Sequence, residues 1–174
     1  MSLVRVNTIL FCLGLIFTSA VASASNLETL IYQRLTLMKN VAAWKFENDI
    51  PVENLEREKV VLKAALDKST SSGIDPRLIE NFFIAQIEAA KAIQRCWISR
   101  WLHSEDFDTS LGKIPLYEVR VRLLEISDDM LEVIKQSRGQ QAQIDIMNSV
   151  DCLDNMYMQS IKTSVNTLFE NRSN

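Results

Sequence analysis

Glycine, proline and histidine are scarce in this chain of 174 residues, which has 4 glycines, 3 prolines and 1 histidine. So few turn-forming residues cannot punctuate the many short strands of a β-sandwich or a β-barrel. They also exclude collagen-like and low-complexity proteins. A single histidine, His103, leaves almost no material for a histidine-based metal site or for a Ser-His or Cys-His triad, so we expect no metal.

The chain also lacks an excess of positive charge, since its formal net charge is -3. A protein without a net positive field does not attract nucleic acid, and we expect no nucleic-acid partner. Hydrophobic residues make up 47% of the chain and charged residues 24%. This balance is typical of one globular domain, and the length is sufficient to bury a core.

The first 24 residues have the pattern of a secretory signal peptide. Arg5 gives a short positive region, Ile9 to Phe17 form an apolar run, and Ala22-Ser23-Ala24 supplies small residues before a cleavage site. The apolar run is shorter than the ~20 residues that cross a bilayer as a helix, although an uncleaved membrane anchor is the alternative. We therefore predict cleavage near Ala24, a periplasmic or secreted protein without membrane association, and a functional domain over residues 25–174.

Two cysteines remain in the predicted mature chain, Cys96 and Cys152. Export permits disulfides, but both cysteines lie in helical patterns far apart in the sequence. The pair is a candidate disulfide, and the sequence alone leaves open whether the two thiols meet.

Helical periodicity extends through the mature chain, and no strand pattern competes with it. The predicted helices extend from Asn26 to about Asp49, from an Asn54 cap through Leu66, from Pro76 to about Leu102, from near Pro115 through Ile134, and from Ile144 to about Phe169. Polar loops are predicted at Ser69–Gly73 and Glu105–Lys113, an end of the fourth helix at Arg138-Gly139, and a candidate break near Asn148. The fold prediction is an all-α, single-domain helical bundle of about five or six helices.

Several polar side chains interrupt the apolar faces of these helices. In the first helix, steps of four, three and four residues lead from Arg34 through Met38 and Val41 to Lys45. The two cations therefore share the inward face, roughly 16 Å apart along it. Gln94 and Arg120 interrupt the apolar faces of the third and fourth helices in the same way, and Arg57 does so less cleanly in the second.

Buried cations require compensation, because a desolvated and unpaired charge costs several kcal/mol. These cations could pair with carboxylates of neighbouring helices or extend to water. Few carboxylates lie on the inward faces, however, and the missing anion is then a ligand. A core lined by three arginines, a lysine and a glutamine suits a small dianion with two carboxylates.

The order and spacing of five motifs resemble the all-helical chorismate mutases, in particular their exported subclass. The motifs are Q-R-L at 33–35, A-A-W-K at 42–45, D-I-P-V-E-N-L-E-R-E-K at 49–59, G-I-D-P at 73–76 and F-F-I-A-Q-I-E-A-A-K-A-I-Q at 82–94. The likeness covers most of the mature chain and weakens after about Ile134. It implies a type II-like bundle, a homodimer, and rearrangement of chorismate to prephenate, the chemistry of Phe and Tyr biosynthesis, without a cofactor.

The resemblance also implies a role for each site residue. Arg34, Arg57 and Arg120 would bind the carboxylates of chorismate, and Arg120 would come from the same chain. Lys45 and Gln94 would be the catalytic pair, since both would donate to the ether oxygen of the breaking bond. The substrate-binding set implied in this way is Arg34, Lys45, Arg57, Glu58, Ala90, Gln94 and Arg120, with Glu58 accepting from the substrate hydroxyl.

Two positions depart from the family pattern. Ala90 stands where relatives often have Ser or Thr near a carboxylate, so one hydrogen bond is either missing or supplied by the backbone. Asn54 stands where relatives often have Asp, and little is lost if the family contact there uses the backbone N–H. Two other classes of function compete with the enzyme: an exported helical effector without catalysis, and a small-anion binding module. An effector predicts cations paired within the chain and no pocket, whereas a binding module does not need Lys45 and Gln94 to face one point.

Overall fold

The computed structural model describes residues 19–103, 107–137 and 150–170. These residues form six α-helices and one short 3₁₀ helix, and no strand occurs among them. The helices are α1 (Ser19–Thr36), α2 (Met38–Glu47), α3 (Leu55–Ser71), α4 (Pro76–His103), the 3₁₀ helix (Leu111–Lys113), α5 (Leu116–Gln136) and α6 (Asn155–Glu170). The all-α prediction is confirmed. Within the described ranges, no helix has the length and hydropathy needed to cross a membrane.

Helices α1 and α2 together form the first predicted helix. Leu37 separates them, but its backbone has right-handed helical angles (φ -62°, ψ -15°), and its N–H donates to the Gln33 carbonyl at 3.2 Å. Its own carbonyl accepts from the Val41 N–H at 3.2 Å. The helical hydrogen bonding therefore continues past Leu37, which keeps Arg34 and Lys45 on one face as predicted.

The start of this helix differs from the prediction. Helix α1 begins at Ser19, well before Asn26, and the stretch before Asn26 includes three alanines, the residue with the highest helix propensity. Residues 1–18 of the predicted signal peptide lie outside the described residues.

The boundaries of α3 and α4 follow the local signals of the sequence. Asn54 caps α3, since its side-chain oxygen accepts from the Arg57 N–H at 2.9 Å. Helix α3 extends to Ser71, slightly into the predicted loop, and Gly73 turns the chain with a φ of 71° that favours glycine. Pro76 then begins α4, at the first turn, where its missing N–H costs nothing.

The last predicted helix is wrong over residues 150–154. These residues are not helical, and Cys152 has a φ of 64°, in the left-handed region that a continuous helix excludes. Helix α6 begins only at Asn155, after Asp154, whose carboxylate accepts from the Met156 N–H at 2.8 Å. The predictions for Arg138-Gly139, Ile144 and Asn148 lie outside the described residues.

Helix α4 is the centre of the bundle, because α2, α3 and α6 all pack against it, while α1 packs against α5. The core contains large side chains that are fully buried, among them Phe82, Phe83, Ile93, Leu131, Ile134 and Phe169. Such burial of apolar surface is the dominant favourable term in folding. It leaves α1, α2, α3, α4 and α5 around one cavity.

A disulfide joins Cys96 of α4 to Cys152, in the segment that precedes α6, with the two Cα atoms 5.8 Å apart. The candidate pair from the sequence is therefore formed. The cross-link attaches the start of α6 to the helix against which α6 packs.

Candidate active site

One cavity of about 110 Å³ lies between α1, α2, α3, α4 and α5. The structure brings all seven site residues of the sequence analysis to its wall, namely Arg34, Lys45, Arg57, Glu58, Ala90, Gln94 and Arg120. Apolar side chains complete the lining, including Met38, Val41, Val61, Ile87, Leu116 and Leu123. All of these residues belong to one chain, so the cavity needs no second subunit to supply Arg120.

Arg34 is the most deeply buried of the cavity cations, with 5% of its surface exposed. Its Nε and Nη1 atoms are buried and have no hydrogen-bond partner among the residues that the structure describes. Burial, followed by the nearby charge of Arg57, lowers the Arg34 pKa to about 10. A guanidinium with unused donors is costly to bury, and it becomes favourable when an anion accepts from it.

Lys45 is 7% exposed and donates to the Val52 carbonyl at 2.6 Å. Burial is the main reason that its pKa falls to about 8, and the Arg120 charge lowers the pKa further, whereas Glu58 opposes the shift. The two charged groups that act on Lys45 come from α5 and α3. The lysine on α2 is therefore electrostatically coupled to both sides of the cavity.

Arg57 and Arg120 are partly exposed and project from α3 and α5. Burial lowers the Arg57 pKa, and Arg120 lowers it further. Within the described part of the chain, neither these two residues nor Arg34 and Lys45 form an ion pair with a carboxylate. Four cations thus face one cavity without a carboxylate partner, and an anionic ligand with two carboxylates would neutralise the mutual repulsion.

Gln94 lies on α4, and the residue is 5% exposed. Its Nε2 donates to the Ala90 carbonyl at 3.1 Å and lies 3.5 Å from the Met38 sulfur. Its Oε1 is buried and has no partner in the described part of the chain. An amide nitrogen carries two hydrogens. One is used on the Ala90 carbonyl, and the other meets only a weak sulfur acceptor, so it is available to a ligand in the cavity.

The two departures from the family pattern have different consequences. The Ala90 side chain presents only a methyl group to the cavity, and Ala90 contributes through its carbonyl, which accepts from Gln94. Asn54 retains the capping function, because its side chain accepts from the Arg57 N–H. Neither position changes the number of cations around the cavity.

Lys91 also lines the cavity, although it is not among the site residues predicted from the sequence. Its ammonium lies 2.7 Å from the Glu88 carboxylate and 3.1 Å from the Glu58 carboxylate. The signal is present in the sequence, since Ile87, Lys91 and Gln94 follow one another at helical spacing along α4. Glu58 is the only acidic residue among the seven predicted site residues, and its carboxylate is paired with the Lys91 ammonium.

Comparison with known proteins points to a single activity. A family model described as chorismate mutase type II matches residues 25–95. The chain is 32% identical over 129 residues to a monofunctional chorismate mutase of Enterobacter agglomerans, covering 73% of this chain and 70% of the relative. It is 36% identical over 107 residues to a secreted chorismate mutase of Yersinia pestis, covering 62% of this chain and 56% of the relative.

Solved structures agree with these relatives. The crystal structure of the secreted chorismate mutase from Yersinia pestis has a TM-score of 0.71 at 29% identity, over 80% of this chain and 94% of that one. A chorismate mutase structure from Burkholderia thailandensis has a TM-score of 0.62 at 22% identity, over 84% of this chain and 96% of that one, which supports the fold.

Proposed function

Since the chain belongs to the chorismate mutase type II family, we propose that the cavity between α1 and α5 is its active site. The protein is a chorismate mutase, an isomerase that converts chorismate to prephenate. The observation that carries the site assignment is the group of four cations around one cavity without a carboxylate partner in the described part of the chain. Chorismate is a dianion, and it supplies the missing negative charges.

The reaction is an intramolecular rearrangement in which one C–O bond breaks while one C–C bond forms. No atom leaves or enters, so the protein needs no nucleophile and no proton transfer. Catalysis then consists of holding the flexible substrate in a compact conformer and of stabilising negative charge on the ether oxygen. A cavity whose donors are held by hydrogen bonds to the backbone, as Lys45 and Gln94 are, fits both requirements.

The arginines bind the two carboxylates in this proposal. Arg34 has buried, unused donors, and its planar fork matches a carboxylate. Arg57 and Arg120 approach from α3 and α5. The charge of Arg57 lowers the pKa of Arg34, and the charge of Arg120 lowers the pKa values of Lys45 and Arg57. A bound carboxylate would relieve the repulsion and would also fix the positions of both substrate arms.

Lys45 and Gln94 donate to the ether oxygen in this proposal. The Lys45 ammonium has spare hydrogens beyond the one donated to Val52, and Gln94 has one amide hydrogen that meets only sulfur. They come from α2 and α4, so they can approach the oxygen from different directions. Their hydrogen bonds strengthen as the C–O bond breaks, which lowers the barrier.

A spectrophotometric assay tests the proposal directly. Purified protein mixed with chorismate should remove the ultraviolet absorbance of chorismate and produce prephenate. Arg34→Ala should abolish most of this activity, whereas Arg100→Ala, which changes an exposed arginine beside Trp97 on α4, should not. Binding of chorismate without conversion would instead identify a small-anion binding module, and neither binding nor conversion would favour a helical effector.

We propose in addition that the chain is exported and cleaved near Ala24, and that the mature protein is a homodimer in the periplasm or outside the cell. The Cys96–Cys152 disulfide and the secreted relative support export. Exposed apolar side chains on α5, Tyr117 and Val121, support association. Mass spectrometry of the exported protein and light scattering test the cleavage site and the dimer.

A further inference from the structure

The Lys91 ammonium is surrounded by three carboxylates although its side chain is only 9% exposed. The distances from its nitrogen are 2.7 Å to Glu88, 3.1 Å to Glu58 and 3.8 Å to Glu53. Burial lowers the Lys91 pKa, but the hydrogen bonds and charges of Glu88 and Glu58 outweigh it and raise the pKa. Lys91 therefore stays charged, and its charge is already satisfied within the protein, in contrast to the four cations discussed above.

Of the three carboxylates, only Glu58 lines the cavity. Its Oε2 accepts from Lys91 on α4, and its Oε1 lies 3.4 Å from the Asn54 N–H at the start of its own helix. Each carboxylate oxygen of Glu58 therefore already accepts one hydrogen bond from a donor of the protein. A carboxylate has about four acceptor positions, so further positions remain for a donor in the cavity.

We propose that Lys91 is a positioning residue that fixes the Glu58 carboxylate as the acceptor for the hydroxyl of the substrate. This inference rests on the proposed function of the cavity. Without a dedicated cation, the Glu58 carboxylate would turn towards the unpaired cations beside it. It already acts on Lys45 through its charge. Such a pairing would neutralise a charge that the substrate needs and would fill part of the cavity.

The geometry also explains why one lysine meets several carboxylates. Glu88 lies one turn before Lys91 on α4 and shares its ammonium with Glu58 on α3. Glu88 therefore gives the ammonium a partner on its own helix in addition to Glu58. Lys91 can therefore act as a fixed point to which the Glu58 carboxylate is attached.

A double-mutant cycle tests this role through the kinetics of chorismate conversion. We expect Lys91→Met to lower kcat/KM by about 10- to 100-fold, since a misplaced group close to the reaction costs this much. The loss should appear mainly in KM, because the hydroxyl hydrogen bond is present in both ground and transition states. In a Glu58→Gln background, Lys91→Met should cause little further loss, since its effect acts through Glu58.

Two controls separate positioning from structure. Lys63→Met removes an exposed lysine that pairs with Asp67 on α3, 2.6 Å away, and should leave kcat/KM unchanged. Lys91→Arg should restore most of the activity lost in Lys91→Met. Losses that add in the double variant, or a normal KM in Lys91→Met, would overturn the proposal.

Thermal unfolding of every variant identifies effects that arise only from stability. Should Lys91→Met not fold, Lys91→Gln, which retains a hydrogen-bond donor, is carried through the same cycle with the same expected coupling. If the wild-type protein and Lys63→Met both fail to convert chorismate, the proposed function itself is wrong. If both convert it and the Lys91 variants do so equally well, only the positioning role is wrong.

Discussion

Lys45 and Gln94 lie on different helices, yet both present nitrogen donors to the same cavity. Each is largely buried, and within the described ranges each makes only one strong hydrogen bond, to the carbonyl of Val52 and of Ala90 respectively. Donors held in place by such bonds do not need to reorganise when charge develops on a ligand. The two residues differ in one respect, because lysine titrates and glutamine does not.

Replacing Lys45 by alanine should lower kcat by about 10²–10³, by analogy with the loss of one oxyanion-hole donor. KM should change less, because the charge of Lys45 matters most when the ether oxygen becomes negative. The matched control is Lys39→Ala on the same helix, where the ammonium lies over the Trp97 ring at 4.0 Å and outside the cavity lining. Steady-state kinetics of the two variants measure the difference, and Lys39→Ala should keep a normal kcat. Near-normal turnover of Lys45→Ala would contradict the role assigned to Lys45.

Replacing Gln94 by glutamate should make turnover depend strongly on pH, with higher turnover at lower pH. The amide donates at any ordinary pH, whereas a carboxyl group donates only when it is protonated and, when ionised, repels the developing negative charge. Activity should therefore recover as the pH falls through the pKa of the new carboxyl, while the wild type stays comparatively flat below the Lys45 pKa of about 8.

Rate-against-pH profiles of both proteins measure this difference, with circular dichroism at each pH to confirm folding. Parallel profiles would mean that Gln94 does not contact the ether oxygen.

The start of α3 carries two site residues, Arg57 and Glu58, in its first turn. Asn54→Ala removes the side-chain oxygen that accepts from the Arg57 N–H and should lower the free energy of unfolding by about 1 kcal/mol. The first turn should also fray, which raises KM for chorismate. Asn54→Ser retains a capping oxygen and should keep both the stability and KM close to wild type. Denaturant unfolding and kinetics on the same samples check this, and an unchanged Asn54→Ala protein would show that the cap is dispensable.

The disulfide between α4 and the segment before α6 closes a loop with a sequence separation of 56 residues. Chain-entropy estimates for a loop of this length give about 4 kcal/mol of stabilisation. Replacing Cys96 and Cys152 by serine should therefore lower the melting temperature strongly. Because neither cysteine lines the cavity, kcat and KM measured well below that temperature should remain normal. A large loss of kcat in the folded double variant would show that the disulfide shapes the site.

At the scale of the whole molecule, the unpaired cations make the free energy of unfolding depend on pH and on the binding of an anionic ligand. The Lys45 pKa is about 8 in the fold, below its ordinary 10.5, so the unfolded chain binds more protons between these values. The contribution of this group to stability is therefore unfavourable below pH 8 and is relieved as the pH rises. An anion that binds the cavity should offset the same penalty.

Succinate, a simple dicarboxylate, should therefore raise the free energy of unfolding by about 1.4 kcal/mol at tenfold its Kd. The effect should be present at pH 7 and should shrink above pH 8, as Lys45 loses its proton. Acetate at matched ionic strength is the control ligand, and in Lys45→Met the dependence on pH should disappear. Equal melting temperatures in succinate and acetate would argue against a dianion site.

The helices and most of their boundaries could be predicted from the sequence, because they depend on local interactions. Asn54 caps α3 and Pro76 begins α4 through contacts with their own neighbours in the chain. The segment before α6 could not be predicted in the same way. Cys152 is held in a left-handed conformation and bonded to a distant helix, and this tertiary context overrides the helical pattern of the sequence.

The sequence by itself determined the all-α class, the inward faces of Arg34, Lys45, Gln94 and Arg120, and the resemblance to a family, since each depends on residue order along one helix or motif. Only the tertiary structure decided which helix faces meet. It closed the cavity within one chain, left four of its five lining cations without carboxylates in the described ranges, and joined Cys96 to Cys152. It also brought Lys91 to Glu58 across 33 positions of sequence. Helical periodicity shows which way a side chain points, whereas its partner depends on how the helices pack.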